Sequence, residues 1–130
     1  MKLRIKGNSV RLRVGRTELA RFLKDGRIDE TICFGPAPEA NLTYALEVQS
    51  GLTETRVRYT PRELTVTLTL DQVRRWSDED QVGVYTAVPI GPQNTLEVIV
   101  EKDFACLDRS DQDNRDTFAN PHLAPSCQVG

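Results

Sequence analysis

Lys2-Leu3-Arg4-Ile5-Lys6-Gly7-Asn8-Ser9-Val10-Arg11-Leu12-Arg13-Val14 is the stretch whose reading decides the fold. Apolar and basic residues alternate on both sides of Gly7-Asn8, the period of a half-buried strand broken by a two-residue hairpin signal. Such a turn pairs Arg4 with Arg11 and Lys2 with Arg13. All five basic side chains of the hairpin then share one face. Leu3, Ile5, Val10 and Leu12 share the other, which is expected to be buried. Like charges placed directly opposite destabilise a strand pair, so this face needs counter-charge.

Past Val14 the period changes. Leu19, Phe22 and Leu23 are spaced for one helix face, and Gly26 stands where a left-handed C-cap belongs, so the spacing predicts a helix over 16–25. Strands are expected at 28–34 and 41–49, separated by Gly35-Pro36-Ala37-Pro38. The second half has the same layout. Val57 and Tyr59 alternate with Arg56 and Arg58, and Thr60-Pro61-Arg62 turns the chain. Leu64, Val66, Leu68 and Leu70 then alternate with threonines. Asp71 is read as the N-cap of a short helix carrying Val73 and Trp76. Strands return at 82–88 and, beyond Pro89-Ile90-Gly91-Pro92, at 95–102.

At a fixed offset of 54 residues these halves align without gaps: Leu3 falls on Val57, Val10 on Leu64, Phe22 on Trp76, Ile28 on Val82 and Glu47 on Glu101. Any even offset aligns alternating strands, but agreement of the helices and of both Pro-rich turns does not come with it. Two readings stay open, a duplicated ββαββ unit spanning 2–48 and 56–102 or a fortuitous echo. Either way the class is α+β, mainly antiparallel sheet, with about eight strands, two short helices and an open or closed wide barrel as candidate architectures. The expected organisation is a single domain over 1–107 and a polar acidic tail over 108–130 that docks in part through Phe118 and Leu123.

The composition agrees. The 130 residues are 38% apolar and 28% charged, as in one globular domain. No apolar run approaches the roughly 18 residues of a membrane span, and the opening lacks the continuous apolar stretch of a signal peptide. Three cysteines, Cys33, Cys106 and Cys127, are odd in number and too few for a disulfide scaffold, which points to a reducing, cytoplasmic setting. Charge is split along the chain. Residues 1–24 carry eight basic side chains against Glu18, whereas 103–130 carry five aspartates (Asp103, Asp108, Asp111, Asp113, Asp116) against Arg109 and Arg115. A basic front calls for an anionic partner or for the acidic tail folding back on it. With a pI near 5.4, non-specific wrapping of nucleic acid is disfavoured.

Candidate site residues follow from the polar strand faces. Lys2, Arg4, Lys6, Arg11, Arg13, Arg56 and Arg58 form the candidate anion-binding set, since guanidinium groups hold phosphate or carboxylate in bidentate fashion. Glu47, Glu97 and Glu101 are their acidic partners. In a closed barrel these glutamates become metal ligands or bases of an enzyme acting on a phosphorylated small molecule, the rival reading. No cofactor is implied. Cys106, His122 and Cys127, with Cys33, fit no zinc spacing because Cys-x-x-Cys is absent. Asp111-Gln112-Asp113-Asn114-Arg115-Asp116 lacks the turn glycine and closing glutamate of a calcium loop.

Two resemblances follow. Duplicated sheet halves closing around a charged lumen resemble the triphosphate tunnel (CYTH) architecture. That superfamily starts with Glu-x-Glu-x-Lys, of which only Lys6 is present, so the resemblance implies a shape and not triphosphate hydrolysis. The opening Lys2-x-Arg4-Ile5-Lys6-Gly7-Asn8-Ser9, with Asp80-Gln81-Val82-Gly83, Glu101-Lys102-Asp103-Phe104, Cys106-Leu107 and Phe118-x-Asn120-Pro121, is similar along most of the chain to a family of small bacterial proteins of unknown function. That resemblance implies a bacterial, cytoplasmic, single-domain protein in which the stretch from Phe104 to Pro121 belongs to the domain. It implies no catalytic residue.

Overall fold

A computed structural model of the chain describes residues 1–78, 80–104 and 116–118. Alternation becomes strand except at Leu70, which opens the second helix instead: β1 (Lys2–Lys6), β2 (Ser9–Val14), β3 (Arg27–Cys33), β4 (Asn41–Gln49), β5 (Arg56–Thr60), β6 (Glu63–Thr69), β7 (Gly83–Pro89) and β8 (Thr95–Lys102). Helix α1 (Arg16–Asp25) follows β2, and α2 (Leu70–Trp76) follows β6. Gly26, at φ 79°, closes α1 in the left-handed region and donates to the Phe22 carbonyl at 2.8 Å.

The strands form two separate four-stranded sheets, not one closed barrel. The first runs β1-β2-β8-β7 and the second β3-β4-β6-β5. Within each sheet the outer pairs are antiparallel hairpins. The central pairs, β2 with β8 and β4 with β6, are parallel, so both sheets are mixed. Each sheet therefore takes one hairpin from each half of the chain, and the tunnel-like closure is absent among the described residues.

The pairings repeat at the offset seen in the sequence. Lys2↔Arg13 in the first hairpin has its counterpart in Arg56↔Thr67, and Ser9↔Glu97 in Glu63↔Thr43. The gapless alignment fails at one place. Glu47 faces Arg27, whereas Glu101 faces Gly83, so β7 is displaced by two residues and Ile28 corresponds to Val84 rather than Val82. A longer connection after α2 and a shorter turn before β8 absorb the shift. Gly83 fits only as glycine, because a Cβ there would sit 2.6 Å from the Val100 carbonyl oxygen.

One apolar cluster joins everything. Leu12, Val14, Val98 and Val100 of the first sheet, Ile28, Leu46, Val66 and Leu68 of the second, and Leu19, Phe22, Val73 and Trp76 of the helices are buried together. The apolar faces thus pack on the opposite sheet as well as on the helices. At the centre the Phe22 and Trp76 rings lie tilted with centroids 6.3 Å apart, and the Trp76 indole donates to the Val82 carbonyl at 3.2 Å.

Two local expectations are corrected. The N-cap of α2 is Thr69, not Asp71: its hydroxyl accepts from the Gln72 amide at 3.0 Å while the Gln72 side chain accepts from the Thr69 amide at 2.9 Å. Asp71 lies in the first turn instead and pairs with Arg75 at 3.1 Å. Ile5, expected in the core, is 63% exposed because the hairpin tip overhangs the cluster.

Beyond Phe104, the described residues 116–118 lie against the body. The Phe118 amide donates to the Asp103 carbonyl at 2.7 Å, and the Phe104 and Phe118 rings meet edge-on at 6.0 Å. Asp116 lies against the start of α1. Its carbonyl accepts from the Arg16 amide at 2.8 Å, and its carboxylate accepts from the Thr17 amide at 2.9 Å and hydroxyl at 2.7 Å. A negative charge at a helix N-terminus meets unpaired N–H groups and the positive end of the dipole.

Candidate functional site

The outer face of the first sheet, turned away from the core, carries most of the candidate residues. The hairpin register holds as expected: Arg4 faces Arg11, Lys2 faces Arg13, and Lys6 faces Ser9 across the turn. Strand β8 places Glu97 beside Ser9, Ile99 beside Arg11 and Glu101 beside Arg13. Beyond it β7 adds Ala87, Tyr85 and Gly83. Five cations thus occupy one half of the face, and Glu97, Ile99, Glu101 and Tyr85 the other.

Glu101 sits at the seam. Its Oε1 lies 3.0 Å from Arg13 Nε and 3.5 Å from Arg11 Nε, and its Oε2 accepts from the Tyr85 hydroxyl at 3.3 Å. Burial pushes the Tyr85 hydroxyl above the ordinary tyrosine value, and the Glu101 charge pushes it the same way. Asp103, two residues on and buried, meets Lys2 Nζ at 2.8 Å. Between these two carboxylates Lys102 points inward, donating from Nζ to the Asp78 carbonyl at 2.6 Å and standing 5.6 Å from the centre of the Phe118 ring.

Arg56 and Arg58, the other two basic candidates, do not join this face. They lie on β5, the terminal strand of the second sheet. There Glu47 is the focus, at the position equivalent to Glu101. Arg27 Nη1 donates to Glu47 Oε1 at 2.6 Å, Nη2 donates to Glu63 at 3.0 Å, and Nε donates to Asp29 at 3.1 Å. Arg58 stands 3.8 Å from the other Glu47 oxygen. Burial opposes the Arg27 charge, yet the hydrogen bonds to Glu63, Glu47 and Asp29 outweigh it and hold the guanidinium above its ordinary value. The same Arg27 bond, with one from Thr65, draws Glu63 below the usual carboxylate range.

The nearest arginines of the two glutamates therefore come from opposite sides. Glu47 takes Arg27 from β3, where β7 has Gly83, with Arg58 of β5 farther off on the other side. Glu101 takes its arginines from β2, where β6 has Thr65 and Thr67. Glu47 and Glu101 belong to different sheets, each bound to its own arginines, and share no lumen. Among the described residues no group of three or more His, Cys, Asp or Glu is arranged to hold a metal ion. Cys33 is exposed and free; Cys106, Cys127 and His122 lie outside the described residues. An open depression of about 560 Å³, lined by Asn41, Thr43, Thr60, Pro61, Arg62 and Glu63, marks the β5–β6 turn on the second sheet, apart from the basic face.

Sequence reasoning missed Arg27, Glu63, Asp29 and Tyr85 as parts of these networks. Their partners are fixed by strand registers that no short turn encodes. No helix among the described residues is long and apolar enough to cross a membrane. A family model, described as a family of unknown function (DUF7009), matches residues 1–122. No curated protein and no solved structure matches the chain.

Proposed function

The chain belongs to this family of unknown function, and we propose that it is a small binding domain whose basic outer face, on the first sheet, receives an anionic ligand or an acidic segment of a partner. The observation that carries the reading is the Arg4–Arg11 register within a row of five cations on one face. Glu101 and Asp103 answer Arg11, Arg13 and Lys2. Guanidinium and ammonium groups in a row offer a carboxylate or phosphate several charge-assisted hydrogen bonds at once. Tyr85, 60% exposed beside Glu101, offers a flat surface at the acidic border of the face.

The protein's own acidic tail is the other candidate occupant: Asp103, just ahead of it, meets Lys2, Asp116 is engaged at the start of α1, and Asp108, Asp111 and Asp113 lie outside the described residues. The enzyme reading loses its main support, because Glu47 and Glu101 are separated. A bacterial, cytoplasmic setting is part of the proposal and rests on the family resemblance and the odd cysteine count.

A thermal-shift titration with phosphate, polyphosphate, dicarboxylates and polyglutamate, each with and without magnesium, tests the reading. A ligand that binds only the folded state raises the melting temperature with its saturation. The proposal expects a dose-dependent, magnesium-independent rise that Arg4→Ala abolishes. No rise with any anion contradicts it.

A further inference from the structure

We propose that the depression at the β5–β6 turn is a second binding site, for a free α-amino acid, in which Arg62 takes the carboxylate and Glu63 the ammonium group. It lies on the second sheet and stands independently of the basic outer face. Three observations carry it.

First, the internal repeat shows what the depression departs from. At the offset of 54 residues the turn Pro61-Arg62 corresponds to Gly7-Asn8, and Asn41 to Thr95. The backbone of the two corners matches. The Thr43 amide donates to the Arg62 carbonyl at 2.8 Å, as the Glu97 amide donates to the Asn8 carbonyl at 3.1 Å. The side chains differ. Asn8 Nδ2 reaches across its corner and donates to the Thr95 carbonyl at 2.6 Å. Arg62, in the place of Asn8, makes no such bond, and Asn41 donates instead to the Pro38 carbonyl of its own connection at 2.6 Å. A corner that one half of the fold bridges with a side chain is, in the other half, an open volume of about 560 Å³. Small-molecule sites span about 300–1,000 Å³.

Second, the depression presents one charge of each sign. Arg62 has no ion-pair or hydrogen-bond partner for its guanidinium among the described residues. Glu63 is held in place on one oxygen only. Its Oε1 accepts from Arg27 Nη2 at 3.0 Å and from the Thr65 hydroxyl at 2.9 Å, and Oε2 has no partner among the described residues. The same two bonds keep the carboxylate ionised. A group fixed before the ligand arrives loses little further freedom on binding.

Third, the rest of the lining is polar apart from Pro61. The Thr43 hydroxyl is shared with Thr31 at 2.7 Å, whereas the Thr60 hydroxyl is unpartnered among the described residues and can join the ligand's carboxylate. An anion without an ammonium group meets the Glu63 charge here, and an apolar ligand finds no apolar wall. A zwitterion satisfies both side chains at once, through guanidinium–carboxylate and ammonium–carboxylate hydrogen bonds. The two sites therefore select different ligands.

Amide shift mapping of the full chain with L-serine tests this. Saturating shifts are expected at Thr43, Thr60, Arg62 and Glu63, with a dissociation constant on the order of 1 mM, as suits an open site. N-acetyl-L-serine lacks the ammonium group and L-serinamide the carboxylate. Each should bind at least about tenfold more weakly. These two ligands probe Glu63 on the unmodified protein, since Glu63→Gln would also disturb Arg27. Arg62→Gln should weaken serine binding at least about tenfold, while Arg74→Gln, which removes one positive charge from α2, should leave it unchanged. Circular dichroism checks that both variants fold. Equal binding of either serine derivative, serine binding undiminished in Arg62→Gln, or no saturating shift at these four amides would each overturn the proposal. None of these results bears on the basic face.

Discussion

Substituting Gly15 by alanine should destabilise the protein, although the backbone there is ordinary. Gly15 has φ −74° and ψ 173°, an extended conformation open to any residue. On backbone grounds alanine should stabilise by about 0.4–1 kcal/mol, through a less flexible unfolded chain. The close approach of Asp116 reverses the sign. An added Cβ would lie 2.5 Å from Asp116 Oδ2 and 2.6 Å from its carbonyl oxygen, closer than real Cβ contacts come. Both are parts of the segment that holds the start of α1, so the segment must shift. The shift breaks the bonds from the Arg16 amide, the Thr17 amide and the Thr17 hydroxyl. At about 0.5–1 kcal/mol each for exposed bonds, these sum to about 1.5–3 kcal/mol. Alanine is also a poorer N-cap than glycine, by about 0.5 kcal/mol. The net expectation is a loss of about 2 kcal/mol, or roughly 6–10 °C in a chain of this size. Chemical denaturation of the single variants and of Gly15→Ala with Asp116→Ala closes the cycle. With Asp116 truncated the segment is already loosened, so Gly15→Ala should then cost under about 0.5 kcal/mol. A Gly15→Ala protein as stable as wild type, or an equal cost in both backgrounds, would refute the reasoning.

Three further outcomes follow from the same geometry. Trp76→Ala should cost about 3–5 kcal/mol by calorimetry, and a cycle with Phe22→Ala should reveal about 0.5–1.5 kcal/mol of coupling between the rings. Glu101→Gln should bring the Tyr85 hydroxyl back toward the ordinary tyrosine value, seen as an earlier phenolate absorbance step in an alkaline titration. In wild type the raised Tyr85 value means that its stabilisation holds below about pH 10 and is lost as pH climbs through the folded value. Glu63 has the opposite sign. Its folded value is lowered, so its contribution is present above the ordinary carboxylate value and disappears as pH falls through the folded one. Arg27→Gln should flatten that acid limb of the stability profile.

What could be read in advance, and what could not, divides by range. The hairpin from Lys2 to Val14 was legible down to its register because a two-residue turn fixes which residues face each other. Helix α1 was legible because Leu19, Phe22 and Gly26 mark its face and its end. The parallel pairings of β2 with β8 and β4 with β6 were not, since alternation is the same for parallel and antiparallel neighbours. That ambiguity makes a barrel and two sheets indistinguishable in the sequence, and with them the sheet to which Arg56 and Arg58 belong. The Arg27 network was hidden behind a seven-residue connection, 34–40, too long to set a register by turn geometry. At α2 the rule for N-caps pointed to Asp71. Thr69 prevailed because Gln72, three residues on, completes a reciprocal cap.

The central claim, that the basic outer face is a binding surface, is met most directly by mapping backbone amide shifts while polyglutamate is added to the labelled protein. Saturating shifts confined to residues 2–6, 9–13 and 99–103 are the predicted result. Shifts centred on β5 and the β5–β6 turn, or no shifts at saturating ligand, would contradict it.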